Sequence, residues 1–549
     1  MRAPLPATRL LSSLVVLPVS ARGLRGGLGA AALGLALAAS ATAQAPPAGA
    51  PFRARTLAED LQMFTGVLNQ IRVNHPDSTD SHRLIMAAIR GMLAAQDPHS
   101  YVIEYQPLIE AKAKDLREGR LVPVPIAFRF LGGAPVVVGV APGTGAARSD
   151  ILPGDELVSV DGAPVSAESA EELDVVLAGK KGSPVRLAFE RQRSDGSRAT
   201  VERDVKRESA EEEAAVPAAF MVDDSTGYVR LTTFASTRAA AELRAAVSRL
   251  ENQKMRRLLL DLRDNGGGSV TEASDVAGLF LPKGAVIYMT EGRKKETNDT
   301  VRVSRSFLSH EKRYPVVVLI NAGTASASEL VAGALQDHDR ALIVGRPSFG
   351  KSLVMRGFPL PDGSLMWMVT SHARTPCGRV IQRQYRQVTV REYYRRAAAE
   401  RDTIGRPACR TDAGRTVYGG GGIYPDVLLK AQADRPLWLE RLHEQLLPLK
   451  WVSGYLGANP ALLGALEDLA RNPTLPAGAT ADFRAFAARE GAIVPAGAEA
   501  DSLLQADLLP SLAWARWGGA GYYRIAAVLD GEVRRAVETF GRAGLLAGH

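Results

Sequence analysis

Ser326 and Lys351, 25 positions apart, have the types and surroundings for nucleophilic catalysis without a cofactor. A serine hydroxyl is a weak nucleophile until a base removes its proton. Lysine is normally protonated at neutral pH, but an apolar, water-poor pocket lowers its pKa until the amine can accept that proton. Phe349, Leu353, Val354 and Met355 are neighbours that could supply such a pocket for Lys351. Ser326 sits in Thr324-Ala325-Ser326-Ala327-Ser328-Glu329, a small-residue turn feeding an amphipathic helix over Leu330 to Gln336. The unpaired N–H groups and positive dipole end of a helix start favour developing negative charge.

The elements that must position this pair are also readable. The apolar run Val316 to Ile320 predicts a buried strand before the serine, and Ala341 to Val344 predicts another before the lysine. One strand–helix–strand unit therefore separates the two side chains. A further strand, Leu258 to Leu262, ends in Asp264-Asn265-Gly266-Gly267-Gly268. Glycines let backbone N–H groups approach a substrate oxygen closely. A donor-rich turn, a serine at a helix start and a lysine together form an acyl-transfer constellation.

Three other readings of these residues compete with this one. Gly345 to Ser352 fits G-x-x-x-x-G-K-[ST], a phosphate-binding pattern, but such a loop must open a helix, and Gly357 and Pro359 follow in a strand-like alternation. A Ser-His-Asp triad could draw on His338 or His372, yet no G-x-S-x-G elbow is present. In the plainest reading, Ser326 and Ser328 only cap a helix and Lys351 is a surface charge. The glycine turn and the ordered set of motifs argue against it.

DLRDNGGG, NAGTASASELVAGALQDHDRALIVGRPSFGKS, TPCGRVIQ and GGGGIYPDV occur in that order. Over roughly residues 55 to 430 the chain resembles the carboxyl-terminal (tail-specific) processing proteases, the S41 serine peptidases. The resemblance implies a multidomain α/β protein with a ClpP/crotonase-like protease core. It implies Ser326 as nucleophile, Lys351 as general base, and the backbone N–H groups of Gly268 and Ala327 as oxyanion donors. Met355 stands where many members have a glutamine that orients the lysine, and Thr324 where many have serine. A thioether is a weak acceptor. Either another polar group positions Lys351, or the enzyme is slow or inactive.

Along the chain, residues 1–43 read as a signal peptide. They are basic, carry no acidic residue, and end in the A-x-A-type site Ala41-Thr42-Ala43. Export to the periplasm or outside is expected, with membrane anchoring as the outcome if the leader stays. Residues 44–119 hold a linker and a helical segment whose Leu61, Phe64, Leu68 and Ile71 predict a buried face. The Asp97-Pro98-His99-Ser100 stretch reads as a turn after a helix rather than a catalytic pair.

Residues 120–207 read as a PDZ-like β domain with a groove helix over Ala167 to Ala178. Val124, Ile126, Leu173 and Leu177 are its candidate peptide-binding residues. Such a domain adds a peptide as an extra strand and captures its carboxylate on free N–H groups. Here Pro123 and Pro125 remove two donors, which would weaken capture or re-route it through Arg120 or Arg129. The protease core is expected over 208–430, with an Arg-rich insert, 383–416, read as a solvated charged loop. Cys377 and Cys409 flank that insert and are candidates for a disulfide. Residues 431–549 read as helical, with packing, dimerisation and partner docking all open.

The net charge of +8 over 549 residues, without an aromatic-interleaved basic motif, argues against a nucleic-acid binder. No metal-ligand spacing appears, so neither a metal nor a cofactor is expected. The expected function is an exported serine endopeptidase acting on protein or peptide tails. A membrane-proximal location and a homo-oligomer are left open. The competing reading is a non-catalytic, PDZ-containing peptide-binding scaffold, motivated by Met355.

Overall fold

The computed structural model describes residues 56–547, apart from isolated positions and short stretches, chiefly 105–111, 141–143, 193–197, 209–213, 305–309, 430–435 and 459–462. The expected leader, residues 1–43, lies outside the described residues.

Among the described residues, those up to Thr79 fall in one unit and those from Asp80 onward in another. The first contains the helix Leu57–Asn74, closed at its start by a reciprocal Thr56–Glu59 capping box. The expectation of a buried face on it is not met. None of its residues is buried, and Leu61 and Phe64 are exposed. Apolar spacing sets which side chains share a stripe, but only a partner surface buries it.

The second unit is built around a six-stranded sheet. Its spatial order is Val427–Leu428, Leu342–Gly345, Val316–Ile320, Arg257–Asp261, Thr226–Arg230, Ala218–Met221, and all neighbours are parallel except the last pair. Side chains alternate between its two faces. Leu258, Leu260, Val316, Val318, Ile320 and Ile343 face one core, with the helices Ala239–Asn252, Val270–Gly278 and Ala327–Asp337. Leu259, Val317, Leu319, Leu342 and Val344 face a second, closed by Ala527, Val533, Ala536, Phe540 and Ala543 from the C-terminal helices. Both faces are covered, which is why these strands read as unbroken apolar runs.

The C-terminal region therefore has a definite task. Its last two helices, Gly531–Glu538 and Phe540–Ala547, cover one face of the central sheet, while its earlier helices pack around Trp451, Phe483, Leu504 and Leu512. Arg263 ties the two regions together through Asp530 (2.5 Å) and Glu532 (2.9 Å).

A second, antiparallel sheet carries Tyr101–Ile103, Leu353–Pro359, Leu365–Arg374, Val286–Gly292 and Asp299–Arg302. The β domain has the strand order Ile126–Leu131, Ala134–Val140, Glu156–Val160, Pro184–Gln192, Arg198–Lys206, with the helix Ala170–Leu177 packed against its first strand.

The Arg-rich insert is not a solvated loop. It contains the helix Val390–Ala399 and the hairpin Ala408–Arg410 with Thr416–Tyr418. Arg383, buried, donates to the carbonyls of Phe349 (2.9 Å) and Gly421 (2.7 Å), and Arg415 bridges Asp339 and Asp426. A charge-rich sequence turned inward because backbone carbonyls and carboxylates were there to receive its guanidinium groups. Cys377 and Cys409 form a disulfide across this region.

Candidate active site

The site grows from three chain turns at the C-terminal ends of adjacent parallel strands. Asn321 and Thr324 shape the first. The Thr324 hydroxyl donates to the Leu262 carbonyl (2.8 Å) and accepts from the Asn321 N–H (3.0 Å). The Asn321 side chain donates to Asp264 (2.8 Å) and accepts from its N–H (2.9 Å). The serine turn is thereby sewn to the glycine turn. Asn265 adds stitches: its carbonyl accepts from Ala325 N–H (3.0 Å) and the Ser328 hydroxyl (2.9 Å), and its side chain from Gly267 N–H (3.0 Å).

Ser326 follows with φ of 56°, in the region a non-glycine residue rarely adopts, immediately before the helix Ala327–Asp337. It is half-buried. Gly267 lies directly against it. A side chain at Gly267 would come within 2.8 Å of the Ala327 nitrogen and 2.9 Å of the Ser326 Cβ, and its φ of +96° also demands glycine. The exposed Gly268 is equally confined, against the backbone of Phe234 and Ala235. The N–H groups of Gly268 and Ala327 take no backbone carbonyl as acceptor among the described residues. Two such donors around a serine at a helix start are what a developing oxyanion requires.

Glu329 joins serine to lysine. It is fully buried, and one carboxylate oxygen, Oε2, accepts from the backbone N–H of both Ser326 (2.8 Å) and Lys351 (2.8 Å). The other accepts from the Ser348 hydroxyl (2.5 Å) and Gly350 N–H (2.7 Å). The two backbones are thus one shared acceptor apart. Burial raises the Glu329 pKa to about 6 against the downward pull of these donors. Burial also lowers the Lys351 pKa, opposed by the negative charges of Glu329 and Asp97.

Lys351 is half-buried in the loop after Leu342–Gly345 and is followed by the strand Leu353–Pro359. A strand there, not a helix, removes the phosphate-loop reading. Met355 sits half-buried on that strand, opposite Val369. His338 is engaged away from Ser326, with Asp412 (2.7 Å) and the Val286 carbonyl (2.8 Å). A cavity of about 390 Å³ opens beside the Asp97–Pro98 turn and is lined also by Tyr385 and Tyr393.

The four β-domain candidates occupy different positions from those expected. Val124, Ile126, Leu173 and Leu177 are all buried, at 4% exposure or less, in that domain's own core. Their side chains are closed off from a peptide in this conformation because strand and helix pack directly on each other. The loop before the strand Ile126–Leu131 is also short of donors. Val122 N–H is bound to the Gly179 carbonyl (2.8 Å), Ile126 N–H to the Val124 carbonyl (2.8 Å), and Pro123 and Pro125 have none. Arg120 is held by Asp115 and Glu118.

The description "peptidase family S41" matches residues 225–390, and "PDZ domain" matches residues 136–191. A carboxy-terminal-processing protease of Bartonella bacilliformis is 33% identical over 332 residues, 59% of this chain and 73% of that protein. The chain belongs to peptidase family S41. The chloroplastic carboxyl-terminal-processing peptidase 2 of Arabidopsis thaliana is 33% identical over 305 residues, 53% of this chain and 56% of its own length. A solved photosystem II D1 C-terminal processing protease is 26% identical, covers 66% of this chain and 86% of its own, and superposes with a TM-score of 0.35. This S41 peptidase is a serine protease of the carboxyl-terminal-processing type carrying a PDZ domain.

Several residues that build the S41 site escaped the sequence reading. Glu329 had a usable signal, since a glutamate three residues after a serine at a helix start is capping-box spacing. Asp261 had none. It is a fully buried carboxylate beneath the glycine turn, bound by Arg230 (2.7 Å), Arg263 (2.7 Å) and the Tyr228 hydroxyl (2.8 Å). Its arginine partners hold its pKa well below the usual carboxylate range despite burial.

Proposed function

We propose that this S41 peptidase is an exported endopeptidase that cuts protein or peptide substrates near their C-termini through a Ser326 acyl-enzyme, with Lys351 as the base. The observation that carries the reading is the carboxylate oxygen of Glu329 shared by the backbones of Ser326 and Lys351. It sets the nucleophile and a desolvated lysine on one rigid joint, beside the Gly268 and Ala327 donors.

The neutral Lys351 amine takes the Ser326 hydroxyl proton as Oγ attacks the scissile carbonyl carbon. The carbonyl oxygen gains the negative charge and is met by the N–H groups of Gly268 and Ala327. Collapse of this intermediate breaks the C–N bond, and the Lys351 ammonium returns its proton to the departing amine. Water, deprotonated by the same lysine, then hydrolyses the ester and frees Ser326.

The PDZ domain would receive substrate along Ile126–Leu131, the edge strand of its sheet, through main-chain hydrogen bonds. With the preceding loop short of donors, those bonds would contribute more than capture of the terminal carboxylate. The basic, apolar leader supports export.

A fluorophosphonate probe tests the assignment. Labelling that is lost in Ser326→Ala and strongly slowed in Lys351→Ala supports it. Labelling that survives Ser326→Ala places the nucleophile elsewhere. A wild-type chain that binds peptide but is never labelled fits the scaffold reading instead.

A further inference from the structure

We propose that the His99 imidazole, braced by the Tyr393 hydroxyl, is the group that positions the Lys351 side chain for proton transfer. This rests on the Ser326–Lys351 reading and adds a residue to it.

The ring reaches the site from a turn after the helix Ser81–Gln96. Asp97, buried, folds that turn by accepting from His99 N–H (2.8 Å), Ser100 N–H (2.7 Å) and the Ser100 hydroxyl (2.6 Å). The Ser100 oxygen in turn accepts from Val369 N–H at 3.1 Å, which pins the turn to the strand Leu365–Arg374. His99 Nε2 lies 3.1 Å from the hydroxyl of Tyr393, which is fully buried. That oxygen also receives the Gln382 side-chain amide (3.1 Å), and the Gln382 carbonyl accepts from Ser352 N–H (2.9 Å). His99 stands edge-on to Phe349 at 6.4 Å, and Tyr393 edge-on to the same ring at 5.6 Å. The network therefore grips the chain on both sides of Lys351, at Phe349 and at Ser352.

The charges agree with this geometry. Burial, then the Lys351 charge, pull the His99 pKa down to about 4, with Asp97 opposing them. Asp97 and Glu329 are the negative charges acting on Lys351 itself. The histidine and lysine charges oppose each other, the ring packs on Phe349 two residues before Lys351, and a pKa of about 4 leaves the ring neutral at neutral pH. A neutral imidazole offers one N–H and one acceptor nitrogen. It is too weak a base here to replace Lys351, but it would fix the direction of the amine if the Lys351 side chain turns toward it. Met355 offers only a thioether, a weak acceptor. His99 is accordingly a positioning residue.

The test compares the full chain with His99→Ala, His99→Gln and Tyr393→Phe. It follows fluorophosphonate acylation of Ser326 from pH 6 to 10 and kcat and KM on a peptide. The expected result is a His99→Ala variant whose kcat falls roughly 10- to 100-fold, at or below the lower end of general-base contributions because the base itself remains, with KM little changed. Its rate should also rise at higher pH than wild type, because water entering the vacated space re-solvates the ammonium and raises its pKa. His99→Gln, which restores an acceptor, should recover much of the loss, and Tyr393→Phe should fall between. Acylation of His99→Ala at the wild-type rate and pH profile overturns the proposal. So does an equal loss in His99→Ala and His99→Gln with an unshifted pH profile, which would mark simple packing. Absence of labelling in the wild type would instead strike the Ser326–Lys351 reading beneath it.

Discussion

Glu329→Gln probes the joint between Ser326 and Lys351, the proposed nucleophile and base. In the native chain four donors converge on this carboxylate, two per oxygen. An amide keeps one acceptor oxygen and turns an NH2 group toward the other two donors. Hydrogen bonds to a charged acceptor contribute about 1.5–3 kcal/mol each, so losing two costs roughly 3–6 kcal/mol. Part of that is offset. The folded pKa of about 6 lies above the ordinary 4.5, so ionising Glu329 in the fold opposes stability by roughly 2 kcal/mol at neutral pH. The net loss at pH 7 is then roughly 1–4 kcal/mol.

The sign of the pH effect follows. The native chain binds this proton more tightly than the unfolded chain. Its stabilising contribution is fully present below about pH 4.5 and fades as pH rises through about 6. Glu329→Gln should lack that decline. Catalysis should respond in the opposite sense to stability at one point. The Glu329 charge raises the Lys351 pKa, so removing it should move the acid limb of kcat/KM to lower pH even as kcat drops. Denaturant melts from pH 4 to 8 and a pH–rate profile read both arms. Unchanged stability at pH 7, or an acid limb that moves upward, refutes the reasoning.

Three further outcomes are expected. Gly267→Ala forces a methyl group to within 2.8 Å of the Ala327 nitrogen and of the Ala325 carbonyl, so kcat should fall by roughly 100-fold or more, as for loss of an oxyanion donor, in steady-state assays. Asp261→Asn leaves the buried Arg230 without its counter-charge, while Arg263 keeps Asp530 and Glu532, and should destabilise the fold by roughly 3–5 kcal/mol in urea melts. Reducing the Cys377–Cys409 bond, which spans a sequence separation of 32, should lower stability by roughly 3–4 kcal/mol while leaving Ser326 open to labelling, checked by melts with and without dithiothreitol.

Much of the core was legible because strand and helix periods are local properties. Val316 to Ile320 read as a buried strand and Ser326 as the start of the helix after it, and both are found so. What covers the second face was not legible, since it comes from Val533, Ala536 and Phe540, more than 200 residues away in sequence. The insert misled because charge predicts solvent only when no acceptor waits inside, and for Arg383 the carbonyls of Phe349 and Gly421 were waiting. The β-domain residues misled in the opposite way. Apolar type marked Val124 and Leu173 as contact-making, but not whether the contact is a ligand or the core.

Residue types and their order pointed, without coordinates, to an S41 peptidase and to a serine at a helix start, a lysine in a loop and a glycine turn as its proposed site. Tertiary structure alone decided how they are held. Glu329 binds two backbones, Asp261 anchors the strand beneath the glycine turn, and His99 meets Tyr393 and Phe349, on the segments around Lys351, from a turn far upstream in sequence. The reason is physical. A side chain's chemistry travels with its sequence, whereas its burial and its partners exist only after distant segments close around it.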